Sequence, residues 1–305
     1  MGDHRPTLVR PPPLDETKAP IENALELTDL SIIGPDIFTN TRELWHPPGA
    51  RGIYGGAVIA QTLAAAQRTV PPNFVVHSYH CFFVLAGDSH VPILYHVERV
   101  REGRSFCTRT VQARQRGAAI FTVTCSFVRE GSGGRRAVKH AAPIPAGARE
   151  QMPGPDYDEP EFVGGGVTSP FMSFRCRRVE DADSGSSGKK EGEEKGEGEK
   201  GEEDEEKDHH AKRVWQWVRA RGRISDEGGL RAHLSALAYI SDSYFIGTIS
   251  RLHRLWRYPV RVEDVDRLDP KSQEKLRQLH EWEGFGKIEE YRGRPAVGMM
   301  VSLDQ

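Results

Sequence analysis

Two adjacent glycines, Gly55 and Gly56, stand directly before a run of strong helix formers at residues 57–68. The first backbone N–H groups of a helix lack intrahelical acceptors and carry the positive end of the helix dipole. Those of Gly55, Gly56 and Ala57 could therefore polarise a carbonyl or bind an anion. The spacing alone leaves a second interpretation open and favours it: the glycines only allow a tight entry into a buried helix.

Asp242 is the second candidate, as a general base. Four apolar residues at helical spacing predict the buried stripe of its helix: Leu230, Leu234, Leu237 and Tyr244. On a helical wheel, Asp242 lies about 120° from this stripe, on the side of Arg231 and Ser235. That position predicts an ordinary solvated face, so the spacing by itself gives Asp242 no catalytic role.

Several other chemistries are disfavoured by the sequence, which has no G-x-S-x-G, H-E-x-x-H or P-loop pattern. His77 and His80 are three apart on a predicted strand, so they point to opposite faces and are expected to be satisfied or solvent-facing rather than metal ligands. Residues 196–201 match G-x-G-x-x-G, but no strand precedes them and no apolar helix follows, which excludes a dinucleotide site. The four cysteines are widely spaced without a C-x-x-C pair, which favours free thiols in an intracellular protein.

Charge is distributed unevenly along the chain. Residues 180–212 hold 14 Asp and Glu against 6 Lys, leaving 36 of the 42 basic and 30 of the 44 acidic residues elsewhere. The mildly basic remainder suits a small anionic ligand but not nucleic acid, which needs a much stronger positive surface. No stretch approaches the roughly 18 apolar residues of a membrane span, and no targeting signal is legible.

Residues 57–68 predict a buried helix, apolar around most of its circumference and ended by Pro71. The strand-like runs that follow are separated by short turn signals, which predict an antiparallel meander wrapped around the helix in an α+β arrangement. These runs cover residues 77–85, 92–101, 105–115 and 118–130.

The domain organisation follows from composition. We expect a proline-rich disordered tail (1–22), an N-terminal helix-and-sheet domain (23–131), a Gly- and Pro-rich linker (132–170) and a C-terminal domain (171–305). The C-terminal domain is predicted to repeat the order strand then helix, with strands at 171–179 and 214–224, the first broken by a solvated acidic loop at 180–212. A helix at about 230–250, a second at 270–282 and a strand at 295–303 complete the pattern. This second copy is predicted to lack its last strands.

Linked sequence blocks across both halves resemble the acyl-CoA thioesterase II family. In the first half the resemblance spans about 80 residues. The blocks are YGGAVIAQ (54–61), AAQRTV (65–70), HSYHCFF (77–83), PILYHV (92–97), REGRSF (101–106) with Arg109, IF to SF (120–127), AYISD (238–242) and SLD (302–304).

The resemblance implies a tandem, or double, hotdog: two helix-in-sheet units in one chain. It also implies hydrolysis of fatty-acyl-CoA by water, with no metal, no cofactor and no covalent enzyme intermediate. Carried over by position, Asp242 takes the role of the water-activating carboxylate and Ser302 that of the hydroxyl. The family's C-terminal Gln has no counterpart here, and Gln305 stands where the family usually has His. The resemblance further implies a peroxisomal matrix or cytoplasmic location.

One alternative stays open. It is a non-catalytic hotdog, either a binding or assembly subunit or the inactive product of an incomplete gene model. A hotdog hydratase is disfavoured, because it would need a His five residues after the Asp, where this chain has Gly247. Missing strands would leave the second helix partly uncovered, which predicts a possible homo-oligomer.

Overall fold

The computed structural model describes residues 5–46, 52–134, 141, 143–157, 169–176, 213–244, 246–253, 255–258, 260–282 and 285–294. The chain forms two compact units. Unit 1 comprises residues 1–139, 165–171 and 220–245, and unit 2 comprises residues 140–164, 172–219 and 246–305. None of the helices in the described ranges is both long and apolar enough to cross a bilayer.

The helices are α1 (Pro20–Ala24), α2 (Gly55–Arg68), α3 (Ala146–Glu150), α4 (Gly229–Tyr244), α5 (Ile246–Leu252) and α6 (Pro270–Trp282), with 3-10 helices at Val262–Arg267 and Ile288–Tyr291. The strands are β1 (Leu27–Asp29), β2 (Ile37–Asn40), β3 (Phe74–Phe83), β4 (Leu94–Glu102), β5 (Phe106–Gln115), β6 (Ala118–Arg129), β7 (Phe171–Arg175) and β8 (Gln216–Ala220).

Unit 1 is built around α2, which packs on a six-stranded antiparallel sheet in the order β1-β2-β4-β5-β6-β3. Most of α2 is buried, as its apolar composition predicts. The predicted meander is confirmed for β4, β5 and β6 but is wrong for β3, which pairs with β6 instead of β4. The reason lies in the connection after β3. Val84 and Leu85 continue beside β6 by donating to Ile120 O, so the chain crosses over before it begins β4.

The sequence predicted a disordered tail over residues 1–22, but the last residues of this range are ordered. α1 begins inside that range, and Ile21 is only 1% exposed. Upstream, proline carbonyls serve as acceptors: Asn40 Nδ2 donates to Pro6 O at 3.0 Å, and Arg42 donates to Pro12 O at 2.7 Å. Proline favours the first turn of a helix, which explains the start of α1 at Pro20.

α4 packs against α2 with the face opposite to the predicted one. Leu230 and Leu237 are 52% and 59% exposed, whereas Ser235, Ala236 and Tyr239 are buried. The predicted leucine stripe is therefore wrong as a description of the buried face. Small side chains let two helices approach closely, and α2 is itself rich in Gly and Ala, so the small-residue face of α4 fits it better than the leucines do.

Two arginines hold the C-terminal end of α2. Arg231 of α4 donates to Gln67 O at 2.8 Å and to Pro71 O at 2.6 Å. The fully buried Arg109 donates to Thr69 O at 2.8 Å and to its hydroxyl at 2.7 Å. Cations at a helix C-terminus offset the negative end of its dipole. These arginines lie at the C-terminus of α2, so they do not interact with its positive N-terminus.

Unit 2 contains most of a two-stranded sheet formed by β7 and β8, and a separate hydrophobic cluster. The end residues Phe171 of β7 and Ala220 of β8 belong to unit 1. The cluster is made by apolar side chains from the segment after α5, the two 3-10 helices and the connection between α6 and the second 3-10 helix: Trp256, Val262, Val265, Phe285, Ile288 and Tyr291. The predicted helix at 270–282 is confirmed as α6. The predicted helix at 230–250 forms two helices, α4 and α5. The acidic loop at 180–212 and the predicted strand at 295–303 lie outside the described residues.

Candidate active site

Asp242, in the last turn of α4, places its carboxylate at the N-terminus of α2. Its Oδ2 accepts a hydrogen bond from the backbone N–H of Gly56 at 3.0 Å, and the N–H of Gly55 also interacts with this carboxylate. A carboxylate at this position is stabilised by unpaired backbone donors and by the positive end of the helix dipole. The solvated face predicted for Asp242 is therefore wrong: it faces α2.

Glycine is required at both positions because the two helices approach so closely. A Cβ on Gly56 would lie 2.1 Å from Tyr239 O of α4. A Cβ on Gly55 would lie 2.7 Å from Asp242 Oδ2 and 2.7 Å from Phe83 Cζ. The glycines thus do more than begin a helix, since they make room for α4 and its carboxylate.

Two opposing effects set the ionisation of Asp242. Burial raises its pKa to about 6, while the hydrogen bonds from Gly56 and Gly55 act in the lowering direction. Cys81 of β3 lies close enough for its own pKa to be raised, mainly by burial and also by the charge of Asp242. A carboxyl group with a pKa near neutrality can accept a proton and give it up again at physiological pH.

The surface beside this carboxylate is apolar. Phe83 would contact any side chain added at Gly55, and its ring packs edge-on against Phe121 at 5.1 Å. Residues 82–85, at the end of β3 and beyond it, are exposed apolar side chains. The arrangement thus combines one basic oxygen with a hydrophobic surface.

The other candidate residues have mixed outcomes. The N–H of Ala57 donates to Tyr54 O at 3.1 Å, and that of Gly56 already donates to Asp242, so neither is an open donor for a substrate carbonyl. Ser302 lies outside the described residues. Both His77 and His80 are exposed, as expected of solvent-facing histidines. The described part of the chain contains no group of three His, Cys, Asp or Glu able to hold a metal ion.

Tyr54 is the residue that sequence reasoning missed. Its buried hydroxyl donates to Tyr239 O at 2.7 Å and is hydrogen-bonded to Ser243 Oγ, so it contacts the turn of α4 that carries Asp242. The available signal was its position immediately before the two glycines.

A long central helix packed on an antiparallel sheet is the arrangement of a hotdog fold. A solved acyl-CoA thioesterase II from Mycobacterium marinum is similar, with a TM-score of 0.52 and 27% identity over 76% of this chain and 70% of that chain. A TesB protein from Mycobacterium avium subspecies paratuberculosis shares the fold at a TM-score of 0.52 and 22% identity, over 77% of this chain and 72% of its own. The tandem hotdog and the α+β class expected from the sequence are supported by these likenesses.

Residues 42–128 match the acyl-CoA thioesterase N-terminal domain, and residues 150–304 match the acyl-CoA thioesterase C-terminal domain. The chain belongs to the acyl-CoA thioesterase family. It is 32% identical to acyl-coenzyme A thioesterase 8 of Homo sapiens, over 82% of this chain and 72% of the relative. It is 28% identical to peroxisomal acyl-coenzyme A thioester hydrolase 1 of Saccharomyces cerevisiae, over 78% of this chain and 76% of that protein. The similarity to the Mus musculus thioesterase 8, at 33% identity, spans 70% of this chain and 63% of the relative's length.

Proposed function

We propose that this protein hydrolyses acyl-CoA thioesters to a free carboxylic acid and CoA. The observation that carries the proposal is Asp242 on the N-terminus of α2, with a pKa raised by burial to about 6. Membership of the thioesterase family supports the same reaction.

In the proposed mechanism, ionised Asp242 orients a water molecule and takes one of its protons. The water oxygen then forms a bond to the thioester carbonyl carbon, and the C–S bond breaks as the tetrahedral intermediate collapses. The proton held by Asp242 passes to the departing CoA sulfur, which restores the carboxylate. No step requires a metal, a cofactor or a bond between the protein and the acyl group.

The helix N-terminus contributes through Asp242 in this proposal. The sequence left open a role for Gly55, Gly56 and Ala57 in polarising the substrate carbonyl. Since the Gly56 N–H holds the carboxylate, the first turn of α2 instead fixes the base and supplies its dipole field. Ser302 is proposed, from the family resemblance alone, to supply a hydroxyl to the same water.

A fatty-acyl substrate is supported by Phe83, which lies beside Gly55 at the carboxylate, and by the exposure of the apolar side chains at residues 82–85. An acyl chain that covered these side chains would gain about 0.8 kcal/mol for each buried methylene group. The name of the yeast relative, a peroxisomal thioester hydrolase, supports a peroxisomal location, within the broader proposal that the protein is intracellular. The exposed leucines of α4 support self-association as a homo-oligomer.

A thiol-release assay tests the proposal. The purified chain is incubated with decanoyl-CoA, and free CoA is measured with a thiol reagent, beside Asp242→Asn at equal concentration. We expect CoA and decanoate in equal amounts from the parent chain and a large loss in the variant. Binding of decanoyl-CoA by the parent without turnover would refute hydrolysis and favour the alternative of a non-catalytic binding subunit.

A further inference from the structure

Tyr54 stands at the junction of the two helices that build the site. It is the residue immediately before α2, its backbone N–H donates to Trp45 O at 3.1 Å, and its ring packs against those of Trp45 and Tyr239 at 5.8 and 4.8 Å. Its side chain makes no capping hydrogen bond to α2. The hydroxyl points instead to α4.

That hydroxyl spans the turn of α4 that carries Asp242. Its proton goes to Tyr239 O at 2.7 Å, so in the hydrogen bond to Ser243 the serine hydroxyl is the donor. Residues 239 and 243 are one helical turn apart, and Asp242 lies between them. One side chain thus contacts both ends of the turn.

The ring of Tyr54 also packs against Gly56, at the point where α2 and α4 approach each other closely. A Cβ on Gly56 would lie 2.5 Å from Tyr54 Cε1 and 2.1 Å from Tyr239 O. Gly56, the Tyr54 ring and the Tyr239 carbonyl are therefore packed as one group. The same group sets the distance of 3.0 Å between Gly56 N and Asp242 Oδ2.

We propose that Tyr54 is a positioning residue that locks the Asp242 turn of α4 onto the N-terminus of α2. Its catalytic significance rests on the proposed function, because it acts through Asp242 and is not assigned a contact with substrate. Without the hydroxyl, the turn is free to move away from Gly56, which weakens the hydrogen bonds that favour the ionised carboxylate.

The direction of the effect on titration follows. The hydrogen bonds from Gly56 and Gly55 lower the pKa of Asp242 against the larger effect of burial. Tyr54→Phe keeps the ring that packs between the helices, so Asp242 stays buried while these hydrogen bonds weaken. The pKa of Asp242 then rises further, and more of the base is protonated at a given pH. Among the described residues, Cys81 of β3 is a titratable group that interacts with Asp242 from a neighbouring element, and its own pKa is raised, mainly by burial and also by the charge of Asp242.

The experiment compares Tyr54→Phe with Tyr79→Phe in the full chain. Tyr79 is a matched control, since its hydroxyl also bonds within unit 1, to Thr62 Oγ1 and Ile59 O of α2, but contacts no part of α4. Two quantities are measured for each variant. They are the pH dependence of kcat/KM for decanoyl-CoA and the pKa of Asp242 from carbon-13 NMR of its carboxyl group, assigned with Asp242→Asn.

We expect Tyr54→Phe to raise the carboxyl pKa of Asp242 and to move the acid limb of kcat/KM to higher pH. At pH values on this limb, kcat/KM should fall about three- to tenfold, the size of one lost hydrogen bond. Ser243→Ala should give a smaller shift in the same direction, and Tyr79→Phe none, even if both tyrosine variants lower the melting temperature.

An unchanged Asp242 pKa in folded Tyr54→Phe would overturn the proposal. A shift of the same size in Tyr79→Phe would overturn it as well, by showing general loosening of the unit. A parent chain without activity, whose Asp242 pKa still moves in Tyr54→Phe, would refute the proposed function while leaving the positioning role intact.

Discussion

Replacing Asp242 by Asn should lower activity and raise stability at the same time. Asn keeps the shape of the side chain and an oxygen for the Gly56 N–H, but it cannot take a proton from water. Loss of a positioned base commonly costs about 10²–10⁴ in rate. This range corresponds to about 3–5 kcal/mol in the activation free energy.

The gain in stability follows from the raised pKa. Folding moves the pKa of Asp242 from 3.8 to about 6, so between these values the folded protein binds more protons than the unfolded chain. The free energy of unfolding therefore falls as the pH rises through this window, and it stays lowered above it. A shift of this size corresponds to at most about 3 kcal/mol. Asn avoids the buried charge but accepts weaker hydrogen bonds, so we expect a net gain of about 1–2 kcal/mol at pH 7.5.

Thermal and urea unfolding of both proteins at pH 7.5 and at pH 4 provide the assay. At pH 7.5 the variant should melt roughly 2–8 °C higher, while turnover of decanoyl-CoA falls. At pH 4 the parent carboxyl is protonated in the folded state, and most of the difference should vanish. A variant less stable than the parent at pH 7.5, or equally stabilised at both pH values, would refute the burial argument. Equal turnover would refute the assignment of Asp242 as the base.

Three further predictions concern the parts around the site. Gly56→Ala should destabilise the protein by about 3 kcal/mol or more in urea unfolding, because a Cβ meets Tyr239 O at 2.1 Å. Gly133→Ala, which meets nothing within 4 Å, is its control, and equal midpoints for the two variants would contradict the close packing. Arg109→Met should cost about 2–3 kcal/mol by uncapping α2, and an unchanged urea midpoint would count against it. Replacing residues 180–212 by a short Gly/Ser turn should leave the melting temperature nearly unchanged, because a charged low-complexity segment has little to bury; a large drop would show that the loop is structural.

The elements of unit 1 were largely predictable because their signals are local. The helix at 57–68 and the strand from 118 to 130 correspond to α2 and β6 within a few residues, since apolar periodicity and turn residues act over short distances. The position of β3 was not predictable in this way. Its pairing with β6 depends on the path of residues 84–93, and the turn signal at residues 86–88 does not specify which strand the chain pairs with next.

The orientation of α4 shows a different kind of failure. Hydrophobic periodicity assumes that the most apolar face is buried, which favoured the side of Leu230 and Leu237. The partner of α4 is another helix, lined by Gly and Ala, so close contact is gained by small residues such as Ala236 and Ser235. A single sequence does not show that α4 packs against α2. The assumption that the leucine face is buried also led to the wrong prediction that Asp242 is exposed to solvent.

The opposed effects at Asp242 explain why the site is built from two helices. A carboxylate in water has a pKa too low for it to be an effective base near neutral pH, whereas one buried without partners would stay protonated. Burial between α4 and α2 raises the pKa, and the N–H groups of Gly55 and Gly56 limit the rise, which brings the value to about 6. Both effects depend on the distance between the helices, and therefore on the absence of a Cβ at Gly56. Gly56 and Asp242, 186 residues apart in the chain, thus act together, and a change in either alters the ionisation on which the proposed hydrolysis depends.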